Sequence, residues 1–157
     1  MIQDIRKAKM GKIAETAEKR FIEGFSCSQS VFSAFAEAEG MDLETALSLS
    51  TSFGAGMARL GDTCGAITGG MMVLGLKFGR TVADDTDAKE KNYRLVHEFV
   101  EEFNKRFEHS MCRDLLGFDP GSPEASQRFK DEPQLEKRCA GFVRDAAEIL
   151  EEIIERE

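Results

Sequence analysis

Four cysteines, Cys27, Cys64, Cys112 and Cys139, are the residues of this chain best suited to chemistry. They stand 37, 48 and 27 residues apart, so no two form a CxxC dithiol or a zinc-ribbon pair. Dispersed thiols are either buried small hydrophobes or, if folding gathers them, ligands or redox groups. Their surroundings favour the second role. Ser26 reads as a helix N-cap before Cys27 and Thr63 as one before Cys64, with Asp62 the alternative cap there. Ser110 reads as a cap two residues before Cys112. Three thiols thus fall in the first turn of an expected helix. Free N–H groups and the positive end of the helix dipole favour a thiolate at that position. Cys139 is expected about one turn into the last helix. Arg59, Arg113, Lys137 and Arg138 lie near the cysteines in sequence and add positive field.

Three chemistries are open to such a set. Cys27, Cys64, Cys112 and Cys139 can ligate an iron-sulfur cluster, with the 2Fe-2S type the leading expectation. Gly65, Ala66 and Gly69 would then supply the close backbone around it, and the protein would transfer or sense electrons. Alternatively, a metal-free pair acts as a thiol–disulfide oxidoreductase, with Cys64 as the expected attacker and a second cysteine resolving. The third reading is a structural module, zinc-bound or without metal. An unidentified redox partner protein or a small thiol is the expected partner, and a homodimer is compatible with long amphipathic helices.

The stretches around the cysteines also resemble a known family. They are Gly24-Phe25-Ser26-Cys27-Ser28-Gln29-Ser30-Val31, Phe53-Gly54-Ala55-Gly56 leading to Cys64-Gly65-Ala66-Ile67-Thr68-Gly69, Cys112-Arg113-Asp114-Leu115-Leu116-Gly117, and Cys139-Ala140. Together they are similar to the redox-active proteins named for a C–GCAxxG–C–C signature, a domain of about this size with four characteristic cysteines and a CGAxxG element. The resemblance spans roughly residues 20 to 150. It implies redox activity through the cysteines and occurrence among anaerobic bacteria and archaea. A related domain occurs in cytochromes that carry an iron-sulfur centre. The resemblance designates a site more than a reaction.

Other side chains offer less. His97, beside Val96 on a long helix, reads as a boundary residue, and His109, near Cys112, as a dipole partner of a helix end. The glycine loop at 54–61 has neither a preceding strand nor a nucleotide-binding fingerprint. Met71 and Met72 read as core, and no CxxCH marks a covalent haem.

The elements that must position the thiols are helical. Residues 2–23 form the first expected helix, with Met10, Ala14, Ala17 and Phe21 inward. A second runs from the Ser26 cap to Glu39, with Val31, Phe32 and Phe35 buried, and a short third from Leu43 to about Ser50. Residues 51–63 read as a glycine-bearing loop. Residues 64–78 are apolar all round, which predicts a buried central helix. Its Gly65 and Gly69, at i and i+4, allow close backbone contact, and Gly70 and Gly75 suggest further packing demands. The longest helix is expected at 86–108, with Val96, Val100, Phe103 and Phe107 as its core stripe. A short turn follows Ser110. Residues 118–132, with their Asp-Pro-Gly-Ser-Pro run, read as the one linker-like stretch. The last helix, 134–156, places Leu135, Cys139, Phe142, Ala146, Ile149 and Ile153 on one face, and its acidic residues on a solvated one. The expected fold is all-α, one domain over residues 1–157, a bundle of about six helices around a Gly-rich central one.

Composition bounds the function. The 157 residues are 41% apolar and 32% charged, with twelve Phe, one Tyr and no Trp. A net charge of −8 repels phosphate backbones and argues against nucleic-acid binding. The charged N-terminal twenty residues do not read as a signal peptide. The longest uncharged run, Thr63 to Leu76, is too short and too rich in Gly to span a bilayer. These features predict a cytoplasmic protein with reduced thiols and no membrane insertion.

Overall fold

A computed structural model describes the backbone of residues 2–157 and the side chains of residues 11–157. The described residues form eight right-handed α-helices: α1 (Ile2–Ile22), α2 (Cys27–Ala38), α3 (Leu43–Ser50), α4 (Gly65–Phe78), α5 (Thr86–Phe107), α6 (Cys112–Leu116), α7 (Ala125–Asp131) and α8 (Pro133–Arg156). The described residues form no strand; one isolated antiparallel bridge joins Thr63 to Met111. The all-α expectation holds, with two short helices more than the six expected. One of them, α7, lies inside the stretch read as a linker. Its breakers are confined to residues 119–123, which leaves room for two turns after Glu124.

Local signals explain the helix starts. Ser26 caps α2 in a capping box: its side chain accepts from the Gln29 N–H, while the Gln29 side chain accepts from the Ser26 N–H. Asp42 caps α3 through the Thr45 N–H at 2.9 Å, and Asp85 caps α5 through the Ala88 N–H at 3.0 Å. Two expected caps are displaced by one residue. Cys64 itself is the N-cap of α4, because Thr63 is engaged in the bridge. Met111 is the N-cap of α6, because the Ser110 hydroxyl donates to Asn104 Oδ1.

The core lies between α2, α4, α5 and α8, with α1 packed on α2 and α8. Ala14 and Ala17 of α1 are buried and Phe21 is partly so; the side chain of Met10 lies outside the described residues. The face of α8 is buried as expected. On α5 the buried stripe is Leu95, Phe99 and Phe103, one residue away from the expected Val96 and Val100, which are only partly covered. The reason is Gly70 of α4. A methyl group there would overlap the Phe99 ring, so the missing side chain sets the rotation of α5. Gly65 and Gly69 do bring α4 against α2: a Cβ on Gly69 would stand 2.8 Å from the Ser28 carbonyl oxygen. Gly75 has open space, so the packing demand expected there is absent.

Residues 51–63 are more ordered than a loop. A 3-10 turn, Thr51–Phe53, leads into a run in which Ala55, Gly56, Met57, Ala58 and Arg59 all have positive φ, between 52° and 69°. This is one turn of left-handed helix, closed by the Ala58 N–H donating to the Gly54 carbonyl at 2.8 Å. The conformation costs on the order of 1 kcal/mol for each non-glycine residue.

The acidic run of α8 is not wholly solvated. Glu151 is buried against α1, where it accepts from the Ala14 N–H at 3.3 Å. Desolvation pushes its pKa from 4.5 up to about 7, only partly offset by the Ala14 N–H. The folded protein thus holds this proton to higher pH than the unfolded chain does. This contribution to stability is full below about pH 4.5 and is lost as pH rises to about 7. With allowance for solvent screening, the loss is about 1–2 kcal/mol. Denaturant titrations at pH 5 and pH 8 are expected to show it, and Glu151→Gln to flatten it.

No helix among the described residues is long and apolar enough to cross a membrane.

Candidate functional site

The fold draws the four cysteines from four separate helix segments toward one end of the bundle. Cys27 and Cys112 are the first residues of α2 and α6, Cys64 is the N-cap of α4, and Cys139 lies between one and two turns into α8. The Thr63–Met111 bridge aligns two of these segments. Across it the Cys64 N–H donates to the Ser110 carbonyl at 2.8 Å, and the Cys112 N–H to the Asp62 carbonyl at 2.7 Å. Arg113 reinforces the pairing, its guanidinium donating to the carbonyls of Leu60 and Gly61.

Glycines set the close approach. A Cβ on Gly65 would lie 2.9 Å from the Cys27 Cβ, and one on Gly56 would lie 2.6 Å from the Cys112 Cβ. Gly65 thus seats the start of α4 on the start of α2, and Gly56 lets the left-handed turn pass beside Cys112.

All four thiols are free. Cys27, Cys112 and Cys139 line a cavity of about 390 Å³, together with Ala55 and Arg59 of the left-handed turn and with α7. Cys64 is buried and is not part of that wall, nor are Gly65, Ala66 and Gly69. Lys137 and the two histidines also stand outside it; His109 and Lys137 face a separate cleft beside α5. The cavity-lining roles of Ser122 and Ser126 carried no signal in the sequence, because neither motif nor periodicity marks them, and Ala55 was marked only as part of the Phe53–Gly56 stretch.

The electrostatics separate the thiols. The Cys27 and Cys139 thiols lie close enough for the Cys27 S–H to donate to a Cys139 thiolate. That interaction holds the Cys139 pKa below the usual thiol value, with help from Arg138, against the opposing effects of burial and Glu136. The same interaction, together with burial and the charges of the other three thiols, pushes the Cys27 pKa well up. Cys64 is pushed up to about 12, mainly by burial. The amides of Ala66 and Ile67 pull its pKa the other way without closing a capping hydrogen bond. Burial also takes Cys112 to about 12, with Cys139 adding to the rise and Arg113 opposing it.

The expectation that first-turn positions would yield low-pKa thiols is therefore reversed. The three cysteines at helix starts have raised pKa values, Cys27 first through its interaction with Cys139 and then through burial, Cys64 and Cys112 mainly through burial. Cys139, inside a helix, is lowered by a thiol donor. Among the described residues no three His, Cys, Asp or Glu side chains are arranged to hold a single metal ion. A zinc ion requires such convergence, with every sulfur about 2.3 Å from one point.

A comparison with protein families matches residues 25–153 to the family described as "Putative redox-active protein (C_GCAxxG_C_C)". No curated protein and no solved structure matches the chain.

Proposed function

The chain belongs to the C–GCAxxG–C–C family of redox-active proteins, and on that premise we propose that it is a thiol–disulfide oxidoreductase working through Cys139 and Cys27. One observation carries this reading: the two thiols line one open cavity, near enough for Cys27 to donate to a Cys139 thiolate. The Cys139 thiolate attacks one sulfur of a disulfide. Its S–S bond breaks, a Cys139 mixed disulfide forms, and the first product leaves as a thiolate. Cys27 then loses its proton to that thiolate or to solvent and attacks the Cys139 sulfur. The second product thiolate departs and takes up a proton, leaving a Cys27–Cys139 disulfide. Two electrons and the Cys27 proton leave the protein, and the second proton comes from solvent, which had taken the Cys139 proton. A small thiol or a redox partner protein in a reducing cytoplasm would restore the dithiol.

The test is to oxidise the reduced protein with a small disulfide, block free thiols under denaturing conditions and map the peptides. A single Cys27–Cys139 link, with Cys64 and Cys112 blocked as thiols, is the expected result. Links among other pairs, or none, would overturn the reading.

A second reading rests on the all-thiol donor set and on the charges the four cysteines exert on one another. Cys27, Cys64, Cys112 and Cys139 would hold an iron-sulfur cluster of the 2Fe-2S type. When bound, it would supply one-electron transfer. Three sulfurs on the cavity wall with Cys64 buried beside them, all on separate segments, suit a cluster better than a single ion. Loading would expel the protons that Cys64 and Cys112 hold to about pH 12. Anaerobic reconstitution is expected to yield visible sulfur-to-iron absorption that Cys64→Ser abolishes. A colourless, iron-free product would exclude this reading and leave the dithiol reading standing.

A further inference from the structure

We propose that the cysteine cavity accepts small thiols and disulfides bearing a carboxylate, with Arg59 as the residue that receives the anion. The inference deepens the dithiol reading and rests on it for the identity of the substrate.

Arg59 lines the same cavity as Cys27 and Cys139. The protein carries a net charge of −8, yet this guanidinium has no ion pair and no side-chain hydrogen bond among the described residues. Its neighbours differ. Arg113 is engaged with Asp62 and with the Leu60 and Gly61 carbonyls, Arg128 with Glu132, and Arg138 with the Leu115 and Leu116 carbonyls. The nearby Asp119 carboxylate accepts from the Gly121 N–H. Arg59 is the cavity's cationic side chain, and the remaining polar lining is the hydroxyls of Ser26, Ser122 and Ser126.

The backbone places Arg59 there at an energetic cost. Ala55 and Arg59 are four residues apart in the left-handed turn, so one turn presents both to the cavity. The Arg59 carbonyl is further held beside Gly121, where a Cβ would come within 2.6 Å of its oxygen. Arg59 is exposed, unpaired and held on strained backbone at a cavity that two neighbouring thiols also line, an arrangement suited to recognition of an anionic substrate. The apolar faces of Phe21, Phe129 and Leu116 would cover the uncharged part of the molecule. A cavity of about 390 Å³ suits a small molecule rather than a protein disulfide.

The experiment uses two pairs of probes on the full-length reduced protein. The first compares alkylation of Cys139 by iodoacetate and by iodoacetamide, read by peptide mass spectrometry. The anionic-to-neutral rate ratio is expected to fall about tenfold in Arg59→Gln and in 1 M KCl. It should recover in Arg59→Lys and stay unchanged in Lys12→Gln, which alters an exposed cation outside the cavity. The second pair compares the disulfide of 3-mercaptopropionate with 2-hydroxyethyl disulfide as oxidants, and the same tenfold dependence on Arg59 is expected in the ratio of their rates. An alkylation ratio indifferent to Arg59 and to salt overturns the anion site, whatever the exchange result. A ratio that depends on Arg59 while neither disulfide is reduced overturns the dithiol reading and the substrate assignment with it, and leaves the anion site.

Discussion

Replacing Cys139 with serine is expected to lower the rate of disulfide reduction by at least about 1000-fold, because a hydroxyl at neutral pH supplies almost no nucleophile. The Cys27 variants separate its two roles. Cys27→Ser and Cys27→Ala both remove the resolving sulfur, so each should stop after the first attack and accumulate the Cys139 mixed disulfide. Their pH profiles should differ. In the native protein the Cys27 S–H donates to the Cys139 thiolate and lowers its pKa, so the rate of first attack rises with pH and levels off below the usual thiol value. Serine keeps a donor at that position and should preserve the early midpoint. Alanine removes the donor, so burial and Glu136 act with less opposition and the midpoint moves to higher pH. Cys64→Ser should leave exchange within a few-fold of native, since the Cys64 thiol is protonated and lies off the cavity wall. A loss in Cys64→Ser as large as in Cys139→Ser would instead assign the attack to Cys64. Stopped-flow measurement with a chromogenic disulfide checks all four variants.

Gly69→Ala should destabilise the protein by about 2–4 kcal/mol, and Gly75→Ala, in the same helix, should stabilise it by about 0.5–1 kcal/mol. Both exchanges gain the same helix propensity, so the difference isolates packing. The new methyl at Gly69 would stand 2.8 Å from the Ser28 carbonyl oxygen and 3.1 Å from the Ser28 Cα. Those are backbone atoms of α2, which cannot rotate aside. The helices would have to separate, and with them the Cys27 and Cys64 segments that they carry. At Gly75 the methyl meets nothing within 4 Å and faces solvent. Chemical denaturation of the two variants reads the opposite signs directly. Equal effects at the two positions would mean that the α2–α4 contact does not depend on the absent side chain.

Much of this molecule is legible along the chain because its causes are local. Helix periodicity and the Ser26, Asp42 and Gly40 signals depend on neighbours a few residues away, so α1, α2, α3 and α8 follow from the residues themselves. The burial of the Gly-rich α4 is likewise visible, since a segment apolar on all sides has nowhere else to go. The four cysteines could be designated from their contexts. What they do to one another could not, because a pKa depends on burial and on atoms brought in from distant segments. Helix starts at Cys27, Cys64 and Cys112 suggest acidic thiols, yet all three are raised, Cys27 first by Cys139 and then by burial, Cys64 and Cys112 mainly by burial. The lowered thiol is Cys139, and its cause is a side chain 112 residues away in sequence. The Gly70–Phe99 contact turned the face of α5 in the same way, by long-range packing that no window of sequence contains. The left-handed turn at 55–59 is a third case: local propensity opposes it in four of its five residues, and the surrounding contacts, with Cys112 on one side and Gly121 on the other, hold it in place. The chain by itself thus determined the helices and the reactive atoms. Tertiary structure alone decided how each thiol's pKa shifts, which thiols share a cavity and which cation lines it, because each of those depends on contacts between distant segments.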